Sequence, residues 1–329
     1  MPLSGELKAA EEPTACKVPK FQLNYDSPLA LKAFMQERNI GARKKYGQNF
    51  LINPSARKKL IDALGISAGD EVWELGPGLG AMTDGLLAGG AKIRAFEIDA
   101  GFIRILKEFF GENRNFTLVE GDALKTWPEM NRPDKQRIQD RYFLGNLPYN
   151  IAAELLGNFI EGKCFFTRMV VTVQKEIGLR ICARPSSPDY SSFTVLCSSV
   201  YKARPLTLLK AASFYPAPHV DSLAVVMDLR TDRDPYAYPE LLYPLVRHLF
   251  GFRRKTIRNS LQRFMVSCMG AEESGAIHLD ILESAGLDKD ERPENIDLDG
   301  FVRLARAAAL VRGNWVKGLK NAGGLHDKE

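Results

Sequence analysis

Three stretches of the chain place polar or glycine residues where an apolar run ends, which is where an α/β protein does its chemistry. The first is Glu74-Leu75-Gly76-Pro77-Gly78-Leu79-Gly80, directly after the apolar segment 71–75 and before a helical pattern. Glycines there let the backbone approach a ligand closely, and the helix start beyond them offers free amide donors. A glycine-rich turn alone is weak evidence, because tight turns also form for structural reasons. Two acids strengthen it. Glu97 ends the next strand pattern, where a carboxylate accepts both hydroxyls of a ribose, and Asp122 follows the third, in Gly121-Asp122-Ala123-Leu124. Taken singly, either acid reads as well as a helix N-cap or a surface charge. A glycine loop, a ribose acid and a base-contacting acid at successive strand ends together describe an adenosine site. The spacing is G-x-G-x-G, not the G-x-G-x-x-G of dinucleotide enzymes, which disfavours a nicotinamide cofactor.

The remaining stretch, Asn146-Leu147-Pro148-Tyr149, follows the strand pattern 142–144 and opens onto the same edge. As a bare pattern it is a turn. Beside an adenosine site it suits methyl transfer to an adenine. The exocyclic nitrogen of adenine is a poor nucleophile because its lone pair is delocalised into the ring. Hydrogen bonds from its two N–H groups to the Asn146 side-chain oxygen and to a backbone carbonyl at Leu147 favour a pyramidal amine with a localised lone pair. Tyr149 can stack on the base and hold it in line with the methyl group. No general base is needed before attack, in keeping with only four histidines in the chain. The sulfonium of S-adenosylmethionine is already an activated electrophile, so no metal is expected.

Such residues need a frame. Strand patterns at 71–75, 93–98, 116–119, 142–144 and 169–173 alternate with helical patterns, which predicts a mainly parallel sheet with helices on both faces and ligands at the carboxyl ends of its strands. Residues 192–201 fit helix or strand equally, and 223–229 reads as a late strand. After a linker at 231–238 the pattern is helical throughout, at 241–250, 253–264, 277–285 and 301–311. Ahead of the sheet, Ser27-Pro28 and Asn53-Pro54 are helix starts. The chain therefore divides into a leader, 1–38, partly disordered; an α/β domain, 39–232; a small all-helical domain, 233–318; and a tail, 319–329.

No apolar run approaches the roughly 20 residues of a membrane span. Glu6, Glu11 and Glu12 in an N-terminal stretch without an apolar core argue against a secretory or transit peptide, and five scattered cysteines suit a reducing compartment. The expectation is a cytoplasmic monomer. Net charge is +5, which permits a polyanionic partner. The positive charge gathers in three knots: Arg43, Lys44 and Lys45; Arg57, Lys58 and Lys59; and Arg253, Arg254, Lys255, Arg258 and Arg263. Arg254 and Arg258 share a face with Arg247 if one helix runs through Gly251. A solvated helix face is the plainer reading of any one knot.

Six stretches in order, from about residue 41 to about residue 311, resemble the bacterial small-subunit ribosomal RNA adenine dimethyltransferase family. They are Gly47-Gln48-Asn49-Phe50-Leu51, the glycine loop, Gly121-Asp122-Ala123-Leu124, Asn146-Leu147-Pro148-Tyr149-Asn150, the run 214–222 (FYPAPHVDS) and the run 253–259 (RRKTIRN). The resemblance implies a Rossmann-like class I methyltransferase domain with S-adenosylmethionine as cofactor. It implies dimethylation of two adjacent adenines in the hairpin loop near the 3′ end of small-subunit RNA, within an assembling ribosomal particle. Cofactor contacts would fall on Asn49, Leu51, Gly76, Glu97, Asp122 and Asn146, with Gln48, Gly78 and Ala123 beside them. Asn146, Leu147, Pro148 and Tyr149 would form the catalytic turn, with Phe214 the second aromatic wall of the base pocket. Arg43, Lys44, Lys45, Arg247, Arg253, Arg254, Lys255 and Arg258 would bind RNA. Two other readings share part of the pattern: a large-subunit RNA methyltransferase of the antibiotic-resistance type, and a non-catalytic ribosome-assembly or transcription factor. The intact Asn146 turn speaks against the second. The leader is longer than the family pattern calls for.

Overall fold

A computed structural model describes residues 23–41, 47–130, 141–238, 240–270 and 276–311. Helix α1 (Pro28–Glu37) opens as its sequence dictates, with the Ser27 hydroxyl accepting from the Ala30 amide and Pro28 in the first turn. A two-residue strand β1 (Phe50–Leu51) and helix α2 (Pro54–Leu64), capped by Asn53 at one end and left-handed Gly65 at the other, lead into the sheet. The strands are β2 (Glu71–Leu75), β3 (Lys92–Glu97), β4 (Phe116–Glu120), β5 (Arg141–Asn146) and β6 (Arg168–Gln174), with β7 (Tyr201–Leu209) and β9 (Ser222–Leu229) after them. A short β8 (Phe214–Tyr215) lies between those two and pairs antiparallel with β1.

The seven-stranded sheet has the order β4-β3-β2-β5-β6-β9-β7, with β2 to β6 parallel and β9 antiparallel to both its neighbours. Chain direction across the sheet reverses between β2 and β5. A parallel sheet opens a crevice at such a switch point, outside the carboxyl ends of its strands. The glycine loop follows β2 and the Asn146 turn follows β5, so both expected motifs face that crevice.

Alternating side chains build the two faces. Val72, Leu144 and Val170 join the core under α2 and α3 (Ala81–Ala88). Their sequence neighbours Trp73, Phe143 and Val171 join the core on the other face, under α6 (Ala152–Glu161) and α8 (Ser192–Val200). Burial on both faces is why these strands read as continuous apolar runs. Helices α4 (Ala100–Phe110), α5 (Ala123–Met130) and α7 (Lys175–Cys182) complete the layers. Residues 192–201, open in the sequence, are helix up to Val200 and strand from Tyr201. Strand β7 carries Pro205, which only an edge position tolerates, and β7 lies at the sheet edge with an irregularity between Pro205 and Thr207.

Beyond the sheet, α9 (Leu242–Gly251), α10 (Ile257–Met269), α11 (Ile277–Ala285) and α12 (Leu298–Leu310) enclose their own core of Leu245, Leu249, Ile257, Leu261, Phe301 and Leu304. The Tyr190 hydroxyl, donating to Ile296 O at 2.7 Å, ties it to the sheet region. One expectation fails here. The chain leaves helix after Gly251 and re-enters at Thr256, whose hydroxyl caps α10, so Arg247, Arg254 and Arg258 do not lie on a single helix. Among the described residues no helix is long and apolar enough to cross a membrane.

Candidate active site

A cavity of roughly 270 Å³ lies at the switch point. Its floor is the glycine loop. Gly76 has φ +67° and donates its amide to Phe96 O at 3.0 Å, and a Cβ placed on it would meet nothing within 4 Å. That side of the backbone is open to the cavity, which is the bare surface a close-lying ligand requires. Gly78, at φ +57°, is glycine for a different reason, since a Cβ there would stand 2.8 Å from the Phe50 ring.

Glu97, 5% exposed, lines the next part of the wall. Its Oε1 accepts from the Ile98 and Asp99 amides, both at 2.9 Å, and Oε2 accepts from the Gly78 amide at 3.3 Å. Burial raises its pKa against the pull of those amides. The acid is thus fixed to the glycine loop, with a single long hydrogen bond at Oε2. Asp122 accepts from the Leu124 amide at 3.1 Å through Oδ1, and Ala123 is buried beside it. Beneath the loop, Glu74 is fully buried. Its Oε2 takes the Thr83 hydroxyl at 2.7 Å, Oε1 has no partner, and burial pushes its carboxyl up to about 7.

Gln48, Asn49 and Leu51 form the opposite wall. The Asn146 amide nitrogen donates to Asn49 O at 2.7 Å, bridging residues nearly a hundred apart in sequence. A carbonyl oxygen can only accept, so this bond sets the amide's orientation and leaves Asn146 Oδ1 as the acceptor facing away from it. The next residue, Leu147, is buried and donates its amide to Thr172 O at 3.0 Å, which locks the turn to β6. Pro148 also lines the cavity. Leu147 and Tyr149 do not; the Tyr149 hydroxyl is hydrogen-bonded to Ser222 Oγ at 2.5 Å and its ring is half-buried.

Phe214, expected as the second aromatic at the base, sits in the core. It is 3% exposed, packed with Leu51, Ala56, Leu209 and Ala224, and its ring is not part of the cavity wall. As the strand partner of Leu51 it braces β1 from behind. Among the lining residues that sequence reasoning missed are Tyr25, Leu31 and Arg57. Arg57 had been grouped with Lys58 and Lys59 as surface charge.

The family model described as ribosomal RNA adenine dimethylase matches residues 39–296. This chain belongs to that family. Relatives named ribosomal RNA small subunit methyltransferase A are 41% identical in Treponema denticola, over 86% of this chain and 94% of theirs, and 33% identical in Clostridium botulinum, over 83% and 96%. A solved dimethyladenosine transferase of Plasmodium falciparum superposes with a TM-score of 0.65 at 25% identity, over 77% of this chain and 94% of that one. A 23S rRNA methyltransferase superposes at 0.56 and 20% identity, over 79% of this chain and 99% of that one, and speaks for the fold alone. The dimethylase is therefore a Rossmann-like, S-adenosylmethionine-dependent rRNA adenine dimethyltransferase. Its cavity suits that cofactor, with an open glycine wall, two acids on successive strand ends and an asparagine acceptor at the far side.

Of the dimethylase's basic residues, Arg43, Lys44 and Lys45 lie outside the described residues. Arg247 is paired with Glu161, and Arg253 with Glu294 at 2.5 Å and with Pro188 O. Arg258 stands 3.9 Å from Asp290. Arg254 and Lys255, in the turn before α10, are exposed and make no ion pair among the described residues.

Proposed function

We propose that this dimethylase transfers methyl groups from S-adenosylmethionine to the exocyclic amines of two adjacent adenines in the 3′-terminal hairpin loop of small-subunit ribosomal RNA, as a step in assembly of that subunit. The observation that carries this reading is the fixed Asn146 amide. One N–H of its side chain donates to Asn49 O, which orients Oδ1 to accept from an adenine N–H. The bound cofactor supplies an activated methyl group. Asn146 Oδ1 and the Leu147 carbonyl accept from the amine and localise its lone pair, while Tyr149, anchored through Ser222, stacks on the base. Glu97 and Asp122 hold the ribose and adenine of the cofactor, with Gln48, Asn49, Leu51, Gly76, Gly78 and Ala123 around it.

The small-subunit relatives, matched over nearly their whole length, support the choice of RNA. The helices beyond residue 232 act as an RNA-binding domain, through Arg254 and Lys255 first. The dimethylase acts as a monomer in the cytoplasm, where assembling subunits are met. To test the substrate, the protein is incubated with undermethylated small-subunit particles and, separately, with large-subunit RNA, and nucleosides from each are analysed by mass spectrometry. Dimethyladenine is expected from the 3′-terminal hairpin only. Product in large-subunit RNA alone would refute the reading.

A further inference from the structure

Along the sheet edge the cavity runs in a definite direction. Asp122 follows β4, Glu97 ends β3, Gly76 follows β2, and Asn146 ends β5, where it bonds to Asn49. With adenine at Asp122 and ribose at Glu97, the cofactor's amino-acid end lies toward Asn49, Leu51 and the residues packed on them. That end carries a carboxylate. Among the described residues, Arg57 is the one cation lining the cavity, and its side chain is only 11% exposed.

Arg57 is held from two sides. One guanidinium nitrogen donates to Leu51 O at 2.7 Å and the other is paired with Asp26. Asp26 is placed in turn by its neighbour Tyr25, which lines the cavity and donates its hydroxyl to Leu79 O, in the glycine loop, at 3.1 Å. Helix α1 anchors this segment by burying Leu31, Phe34 and Met35 against Phe102, Ile105 and Phe109 of α4. Residues 25–37 therefore strap the β1 wall to the glycine loop, although the sequence reads there as a leader.

We propose that Arg57 binds the α-carboxylate of S-adenosylmethionine, and that the segment from Tyr25 to Glu37 is a built part of the cofactor site that presents it. Two guanidinium nitrogens are engaged by Leu51 and Asp26, which fixes the plane of the group while leaving further N–H donors for a carboxylate. The inference rests on the adenosine reading of Glu97 and Asp122, and the test separates the two.

Binding of S-adenosylmethionine and of its decarboxylated analogue, which keeps the sulfonium and the amine, is measured by calorimetry on the full chain and on Arg57→Gln and Arg57→Lys. The wild type should prefer the carboxylated ligand by about tenfold or more. Arg57→Gln, which retains a donor for Leu51 O, should abolish that preference while binding the analogue as the wild type does, and Arg57→Lys should restore part of it. Equal loss of both ligands in Arg57→Gln would make Arg57 merely structural, and an unchanged preference would place the carboxylate elsewhere; either overturns the proposal. If Arg57→Gln fails to fold, Arg57→Lys decides: a preference below the wild type's supports the proposal and an unchanged one overturns it. Should the wild type bind neither ligand, the adenosine site itself is misread.

Discussion

The rim of the sheet and the helices beyond residue 232 handle polar groups in opposite ways. At the rim, Glu97 takes three backbone amides, Asp122 one and Asn146 a backbone carbonyl, so each is oriented before any ligand arrives. In the helical region the core is apolar, and most of the basic side chains are paired with acids near the surface or bare to solvent. Surface pairs are worth little and exchange readily for other anions. Under the proposed function, atomic positions matter at the rim, whereas the helices need only a density of positive charge for a phosphate backbone.

Mutations should separate the two regions. The largest effect belongs to Asn146: replacing it by Ala should slow methyl transfer by about a hundredfold or more, as loss of a preorganised group does. Next, Asp122→Ala should weaken S-adenosylmethionine binding, read by calorimetry, by about 1 to 3 kcal/mol. It should leave RNA affinity alone. In the helical region, Arg254→Ala and Lys255→Ala should each flatten the log–log salt dependence of RNA binding by about 0.7 to 0.9. Arg253→Ala and Arg258→Ala should flatten it less, because those side chains must leave Glu294 or Asp290 to reach a phosphate. A larger effect at Arg253 than at Arg254 would undo the distinction between paired and bare charge.

A further effect, on stability and not on binding or transfer, concerns Glu74. Its folded pKa, raised by burial to about 7, stands above the ordinary 4.5. Below about 4.5 both folded and unfolded chains hold the proton. Between there and about 7 the unfolded chain releases it while the folded one retains it, so stability falls as pH rises, and the loss levels off above that window. Glu74→Gln, which keeps an acceptor for Thr83, should show less of this decline in denaturant midpoints measured across the same range. An identical pH profile would mean that Glu74 is ionised in the fold.

Much of the rim was legible because its residues sit at local breaks in an apolar pattern: the glycine loop after β2, Glu97 at the end of β3, Asn146 at the end of β5. What escaped depends on contacts between distant segments. Tyr25 and Arg57 reach the cavity only because α1 packs on α4 and α2 starts beside β1. Phe214 pairs with Leu51 across more than a hundred and sixty residues, and nothing local tells whether its ring faces the ligand or the core. The later start of α10, which leaves Arg254 outside the helix, was missed because the basic run 253–258 keeps a helical spacing that Thr256, acting as a cap, interrupts.

The central claim is that Asn146 acts on the reacting amine and not on cofactor retention. It is tested most directly by measuring, for Asn146→Ala, both S-adenosylmethionine affinity by calorimetry and single-turnover methyl transfer to undermethylated small-subunit particles. The account predicts affinity near the wild-type value with transfer slowed by about a hundredfold or more. Transfer at the wild-type rate, or a loss of transfer matched by an equal loss of cofactor affinity, would contradict it.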